Sequence, residues 1–232
     1  PIVHSGQLDW ITPDAERVIA RHARVSAKDP EKEEYAKLIK YCVRQGHWSI
    51  FEQASVSFEI ITSRAISAQI IRHKSFNFQE TSQRYCDPLN LLEEEETCWD
   101  FDLRKQDPKN RQNSINNVDV EVAAKFKQRI FDYFHEGKKL YTDMLEEGIA
   151  KECARNILLM CSPTKIHITG SVRSFIHYVG LRASIETQKE HRLIATAIGN
   201  KLSPILPTTI EAVKVSAQND HSLRGWFNVT YR

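Results

Sequence analysis

Apolar positions recur at helical and strand periods along most of the chain, and the changes of period lay out its elements. Tyr35, Leu38, Ile39, Cys42 and Val43 fall on one face of a helical repeat. They predict a helix over about Pro30 to Gln45, with Asp29 as cap, Pro30 at the first helical position and Gly46 as the stop. An earlier helix is expected from Pro13 to about Ala23, capped by Thr12. Residues 54–61, ASVSFEII, alternate, with Ala54, Val56, Phe58 and Ile60 on one face, and predict a strand. Ser63 to about His73 reads as a helix with Ile66, Ile70 and Ile71 buried, running on into extended chain. A long helix is expected from about Asp119 to Glu147. Its stripe is Val122, Phe126, Ile130, Tyr133, Phe134, Leu140, Tyr141, Met144 and Leu145, and Gly148 is its stop. A shorter helix over Lys151 to Leu158, a short strand over 164–169 and helices over 171–183 and 186–202 follow, with a break near Ser184. Pro204 and Pro207 end this run.

Residues 90–118 interrupt the pattern. The polar runs LEEEE and RKQDPKNRQN predict a long surface loop or insertion, the acidic run being a solvated face. Neither an internal repeat nor a flexible linker is visible. The reading is a single α+β domain over 1–232, with a mixed or antiparallel sheet flanked by helices.

Composition narrows the class. A chain of 232 residues is ample for a buried core, and 41% hydrophobic with 27% charged residues fits a soluble globular protein. The formal net charge of +2 lacks the basic excess of a nucleic-acid binder. No apolar run approaches the ~20 residues needed to span a bilayer, so no membrane partner is expected. Five cysteines, an odd number without a CxxC pair or a preceding signal peptide, read as reduced thiols in a cytoplasmic protein, or one in a host's cytoplasm if the chain is viral. The sequence starts at Pro1, so removal of an initiator Met or a short leader is expected.

The densest polar cluster runs from Arg72 to Tyr85. Arg72, His73 and Lys74 at a helix end could simply complement its dipole. If the chain beyond is extended, Glu80, Ser82 and Arg84 line one face. A carboxylate, a hydroxyl and a guanidinium facing one pocket suit a polar ligand with donors and acceptors, and Arg84 suits a phosphate. The plainer alternatives are a surface carboxylate for Glu80 and a turn residue for Ser82. Arg173 and His177, four apart, share a helix face, as a ligand pair or as an exposed polar stripe. Arg155 and Arg182 have surface alternatives, and His47 a structural one. Cys86 has no His or Asp partner evident in sequence that would make it a nucleophile. Phe76, Phe78 and Tyr85 in this basic segment could instead stack bases in a nucleic-acid-binding protein, a reading the near-neutral charge opposes.

The segment resembles the signature of flavin-dependent thymidylate synthases, Arg-His-Arg, seven residues, then Ser. Here it reads Arg72-His73-Lys74, seven residues, Ser82, followed by Gln83-Arg84-Tyr85, with Lys74 departing from the family's Arg. Further stretches are similar to family blocks: Ala23-Arg24-Val25-Ser26, Gly46 to Gln53, Ser63-Arg64-Ala65-Ile66, Gln69-Ile70-Ile71, Glu152-Cys153-Ala154-Arg155 and Arg173 to Arg182. The likeness covers about residues 23 to 198, apart from the insertion at 90–118. A second departure is Glu186, four residues beyond Arg182, where the family often has His; His191 is out of register for that role.

The resemblance implies the family's fold and methylation of dUMP to dTMP, with FAD as cofactor and NADPH and methylenetetrahydrofolate as co-substrates. It implies FAD binding by Ser49, Arg72, His73, Lys74, Glu80, Ser171, Val172, Arg173 and His177. It implies dUMP binding by Gln69, Arg72, Glu80, Ser82, Gln83, Arg84, Arg155 and Arg182, with Arg182 as the catalytic electrostatic group. It also implies a homotetramer with active sites between subunits and no nucleophilic Cys. A related flavoenzyme that transfers another one-carbon group, such as hydroxymethyl, is the alternative that Lys74 and Glu186 suggest.

Overall fold

The computed structural model describes residues 4–30, 32–87 and 100–230. In chain order the elements are β1 (Ser5–Ile11), α1 (Ala15–Ala23), α2 (Ala36–Arg44), a 3-10 helix (Trp48–Gln53), β2 (Ser55–Ser63), α3 (Arg64–Ile70) and β3 (Asn77–Glu80). There follow β4 (Lys105–Gln106), β5 (Ser114–Ile115), α4 (Val120–Glu146), α5 (Lys151–Ala154), a 3-10 turn (Arg155–Ile157) and β6 (Pro163–Ser171). The chain ends through α6 (Val172–Arg182), α7 (Lys189–Leu202), α8 (Pro207–Ser216) and a 3-10 helix (His221–Asn228). Four strands form a sheet in the order β1-β2-β6-β3, accompanied by helices, so the α+β class is borne out. Among the described residues, no helix is long and apolar enough to cross a membrane.

The chain packs as two compact units. One comprises Pro1–His4, Ile61–Ile70 and Gln79–Ile166; the other comprises Ser5–Ile60, Ile71–Phe78 and His167–Arg232. In the first, Phe134, Tyr141 and Ala154 form a core on which Met144, Leu145, Ile157, Leu158, Leu159 and Cys161 pack. Only part of the stripe expected on α4 therefore faces inward. Val122, Phe126, Tyr133 and Leu140 lie exposed on the helix. Asp119 caps it by accepting from the Glu121 and Val122 amides, and Gly148 ends it in the left-handed region. There the Gly148 amide bonds to the Leu145 carbonyl and the Ile149 amide to that of Met144. Of the expected insertion, 100–118 carries the antiparallel β4–β5 pair and is largely exposed, while 90–99 lies outside the described residues.

The second unit buries Val56, Phe58 and Ile60 of β2 and Ile168 of β6, and the Phe58 ring meets that of Phe175 on α6 at 5.3 Å. Several boundaries differ from the sequence reading for identifiable reasons. Pro30 and residues 32–35 are not helical, because the Arg24 guanidinium takes the Lys32 and Glu34 carbonyls. Thr12 does not cap α1, since its hydroxyl exchanges bonds with the Ser55 backbone; Asp14, at φ 48, precedes the helix instead. The third helix stops at Ile70, leaving Ile71 exposed. β1 was not read, and Pro207 starts a helix instead of ending one, at the position where a missing N–H costs nothing.

The C-terminal 3-10 helix crosses α6 backbone against backbone. A Cβ on Gly180 would lie 2.5 Å from the Ser222 carbonyl oxygen, and one on Gly225 would lie 2.5 Å from that of Gly180. The Trp226 indole, fully buried, donates to the Ile176 carbonyl at 2.9 Å. The Asn228 amide donates to that of Ala183 at 2.7 Å, serving the carbonyls at the end of α6. Gly225→Ala is expected to destabilise by about 1–3 kcal/mol, because backbone cannot yield as a side chain can. Gly137→Ala in α4, where a Cβ would meet nothing within 4 Å, should instead stabilise by about 0.5–1 kcal/mol. Urea unfolding of both variants checks the pair, and equal midpoints would refute the close crossing.

Candidate active site

In the second unit, the site is built on α6. Ser171 caps this helix, its Oγ accepting from the Ser174 amide at 3.2 Å. Phe175, Ile176 and Val179 sit in the core. That orientation places Arg173 and His177 on one outward face, while Arg182 follows the buried Tyr178 by four residues on another. Arg173 pairs with Glu52 at 3.0 Å, and the His177 ring meets Trp48 edge to face at 4.8 Å. Ser49 is exposed on the same 3-10 helix as Trp48 and Glu52, so Ser49, Arg173 and His177 are gathered as the sequence suggests. Val172 is buried and its amide is engaged by the Ala54 carbonyl. Its side chain therefore cannot meet a ligand.

Arg182 reaches the signature segment. Its Nε donates to His73 Nε2 at 2.8 Å. A ring nitrogen that accepts carries no proton, so His73 is neutral and holds its proton on Nδ1. Burial, then the charges of Arg182 and Arg72, pull His73 down to about 4. The segment is seated by Phe76, which packs on Phe175 at 4.7 Å and on Tyr178 at 5.5 Å between ring centroids. Gly170 makes room for it, since a Cβ there would lie 2.5 Å from the Phe76 ring. Ser174 Oγ donates to the Ser75 carbonyl at 3.1 Å. Arg72 and Lys74 are exposed. Among the described residues, neither they nor Arg182 have a carboxylate within ion-pair distance. Three cations without carboxylate partners among the described residues are thus gathered on or against one short segment.

In the first unit, Glu80 is a clasp. Its Oε1 accepts from Ser67 Oγ at 2.6 Å and Thr164 Oγ1 at 2.9 Å, and pairs with Arg64 at 2.6 Å. β3 ends at Glu80, so Ser82 and Arg84 do not continue its face. Ser82 opens a turn, its Oγ accepting from the Arg84 amide at 3.3 Å and its carbonyl from the Tyr85 amide at 3.1 Å. The turn lies against α5: Arg84 pairs with Glu152 at 3.2 Å, and Lys151 Nζ donates to the Tyr85 carbonyl at 3.1 Å. Arg155, one turn beyond Lys151, has no carboxylate partner among the described residues. Gln83 is half-buried in this turn, and Gln69 is half-buried on α3.

Four residues of these clusters were given no role in the sequence reading. Lys151 stands four before Arg155, the same spacing that singled out Arg173 and His177. Tyr178 stands four before Arg182. His191 occupies a core position of the α7 stripe with Ile194, Ala195, Ile198 and Leu202, where a polar ring is itself a signal. Its Nε2 lies 3.0 Å from the Tyr178 hydroxyl. Trp48 was quoted in a block without a role.

Residues 8–208 match the family model described as Thy1, thymidylate synthase complementing protein. The chain is 44% identical over 199 residues, 86% of its length and 89% of the relative's, to the flavin-dependent thymidylate synthase of Synechocystis sp.. It is 45% identical over 187 residues to the probable flavin-dependent thymidylate synthase of Paramecium bursaria Chlorella virus 1, covering 79% of this chain and 83% of that one. The fold is similar to that of the UMP/dUMP methylase PolB from Streptomyces cacaoi bound with 5-Br dUMP. The TM-score is 0.74 at 23% identity, over 91% of this chain and 95% of that one.

The buried imidazoles make stability pH-dependent. Burial holds His191 down at about 3, and burial together with Arg173 lowers His177 against the opposing pull of Asp220 and Glu52. The unfolded chain protonates these rings near their ordinary value while the folded chain does not. Their contribution is therefore complete above about pH 6.5 and is lost as pH falls towards the folded values. The urea midpoint should fall on acidification from about pH 6.5. His191→Leu should flatten that slope; an unchanged slope would show that His191 is not held neutral by the fold.

Proposed function

The chain belongs to the family of flavin-dependent thymidylate synthases, and from that premise we propose that it methylates dUMP to dTMP in the cytoplasm, with FAD as its flavin, methylenetetrahydrofolate as carbon donor and NADPH as reductant. The observation that carries this reading is the Arg182–His73 hydrogen bond, which joins the signature to a guanidinium with no carboxylate partner among the described residues.

The residues fit a flavin dinucleotide. Arg72 and Lys74 offer exposed charge for its phosphates, and Ser49, Arg173 and His177 offer hydroxyl, guanidinium and imidazole donors beside the Trp48 ring. Ser171, which caps α6, belongs to this face, with the buried Val172 behind it. Bound FAD would supply the hydride that completes the methyl group. Arg84 and Arg155, on either side of α5, suit the dianionic phosphate of the nucleotide, with Ser82, Gln83 and Gln69 as neutral partners. Glu80, fixed by Arg64, Ser67 and Thr164, keeps the strand from which the Ser82 turn departs in place.

The pyrimidine needs activation, because C5 of uracil is weakly nucleophilic. Arg182 is suited to this. With Nε engaged by His73, its terminal nitrogens remain to face N3 and a neighbouring ring oxygen, where they would stabilise the ionised, enolate-like form of the ring that makes C5 nucleophilic. A neutral His73 orients the guanidinium without cancelling its charge, as a carboxylate would. Assembly as a homotetramer with sites between subunits is part of the proposal, so flavin and nucleotide ligands need not come from one chain.

The direct test is anaerobic turnover of dUMP with methylenetetrahydrofolate and NADPH, with the product identified by mass. dTMP is expected, and a hydroxymethylated product or none would overturn the reading. Arg182→Ala should lower single-turnover flavin oxidation by roughly a hundredfold or more, with flavin content little changed. Arg182→Lys should recover little, because one ammonium cannot present two parallel donors. Lys74→Ala should weaken FAD binding while Lys74→Arg is tolerated; equal affinity in a flavin fluorescence titration would leave Lys74 as a helix-end charge.

A further inference from the structure

Beneath the His73–Arg182 hydrogen bond lies a second polar pair that the reaction itself does not need. Tyr178 and His191 are both buried, at 2% and 0% exposure, yet each carries a polar group into the core. Phe at 178 and Leu at 191 would fill comparable space without the cost of removing a hydroxyl and an imidazole from water. The two groups meet each other, with 3.0 Å from the Tyr178 hydroxyl to His191 Nε2, and so tie α6 to α7.

The pair also encloses His73. The Tyr178 ring stands edge to face with the His73 ring at 5.0 Å and 83°. The His191 ring approaches it at 6.2 Å and 85°. Phe76 closes the next side, with centroids 6.4 Å from His73. His73 thus lies in a cage of rings that leaves its Nε2 directed at Arg182. Tyr178 is also four residues before Arg182 on α6, so one helix face carries both the wall of the cage and the group that His73 orients.

We propose that Tyr178 and His191 are positioning residues for the methylation reaction: their mutual hydrogen bond fixes the ring that keeps His73 an Nε2 acceptor, and His73 in turn sets the direction of the Arg182 guanidinium. The inference rests on the proposed function for its kinetic consequence and on geometry alone for its structural one. The charged and titratable groups around His73 are Arg72 on its own segment, Arg182 and Tyr178 on α6 and His191 on α7. Protonating His73 would remove the lone pair that Arg182 uses and set a third positive charge beside two guanidinium groups. A loosened cage admits both the other tautomer and water. The ring's protonation should then move back towards its ordinary range.

The experiment compares the full-length protein with Tyr178→Phe, which keeps the ring and removes the hydroxyl, and with His191→Leu and His191→Asn. Imidazole nitrogen NMR, with His73 assigned by a His73→Asn variant, reads tautomer and protonation with no substrate or turnover required. The unsubstituted protein should show neutral His73 protonated on Nδ1 into the acidic range. Tyr178→Phe and His191→Leu should show mixed tautomers and an upward-shifted titration. His191→Asn, whose amide can still meet the Tyr178 hydroxyl, should restore most of the native signal. In single turnover with dUMP, Tyr178→Phe should lower the rate about tenfold to a hundredfold, as expected for a displaced catalytic group, while dUMP affinity changes little. The acid limb of its pH–rate profile should move upward. An unchanged His73 signal and pH profile in a folded Tyr178→Phe variant would overturn the proposal. Altered NMR signals without dUMP turnover in the unsubstituted protein would instead indict the function assigned to the site.

Discussion

A guanidinium drawn partly out of water needs an acceptor, and the choice of acceptor decides what the charge can still do. A carboxylate would satisfy Arg182 and neutralise it. The neutral Nε2 of His73 satisfies one N–H, leaving the positive charge available. Much of the second unit follows from that arrangement. His73 has to remain unprotonated, so it is half-buried among rings; the segment that carries it has to be pinned, so Phe76 fills the space that Gly170 leaves open. The helix that carries Arg182 has to present this face and no other, so Phe175, Ile176 and Val179 anchor it in the core.

The first unit answers a different need with the same economy. Glu80 is the carboxylate that could have quenched a binding cation, and instead a neighbouring Arg, Ser and Thr hold it. Arg84 is tempered by Glu152 at the surface, an exposed pair worth little energetically, so an incoming phosphate can compete for the guanidinium. Arg155 stands nearby without such a partner among the described residues. Both clusters thus hold cations without carboxylate partners among the described residues, although the formal net charge of the chain is only +2.

What was legible in the sequence was whatever local periodicity or residue order encodes. β2, the start and stop of α4, the helix carrying Arg173 to Arg182 and the family signature all belong to that class. What was not legible depended on distant partners. Pro30 to Tyr35 has a helix-like pattern, but a side chain from Arg24 claims its carbonyls. Glu80, Ser82 and Arg84 alternate in sequence, but the strand ends and Ser82 turns the chain. Half of the apolar stripe on α4 points outward, which no periodicity can announce, since a helical repeat says which residues share a face and not what covers it. His191 was set aside because its register did not match a known role; its place in the core stripe gives it a different one.

The close crossing of Gly180 and Gly225 ties the site to the order of protein synthesis. α6 is complete as a sequence once Arg182 has been added, but its far side is open until Ser222 to Trp226 arrive to cover it. Because chains emerge from the ribosome residue by residue, Arg182 cannot settle against His73 on a braced helix until this later segment has emerged. The Arg182–His73 contact therefore gains its braced helix only after Ser222 to Trp226 have been made, and a nascent chain halted before Ser222 would carry all of the signature residues without the backbone that braces α6.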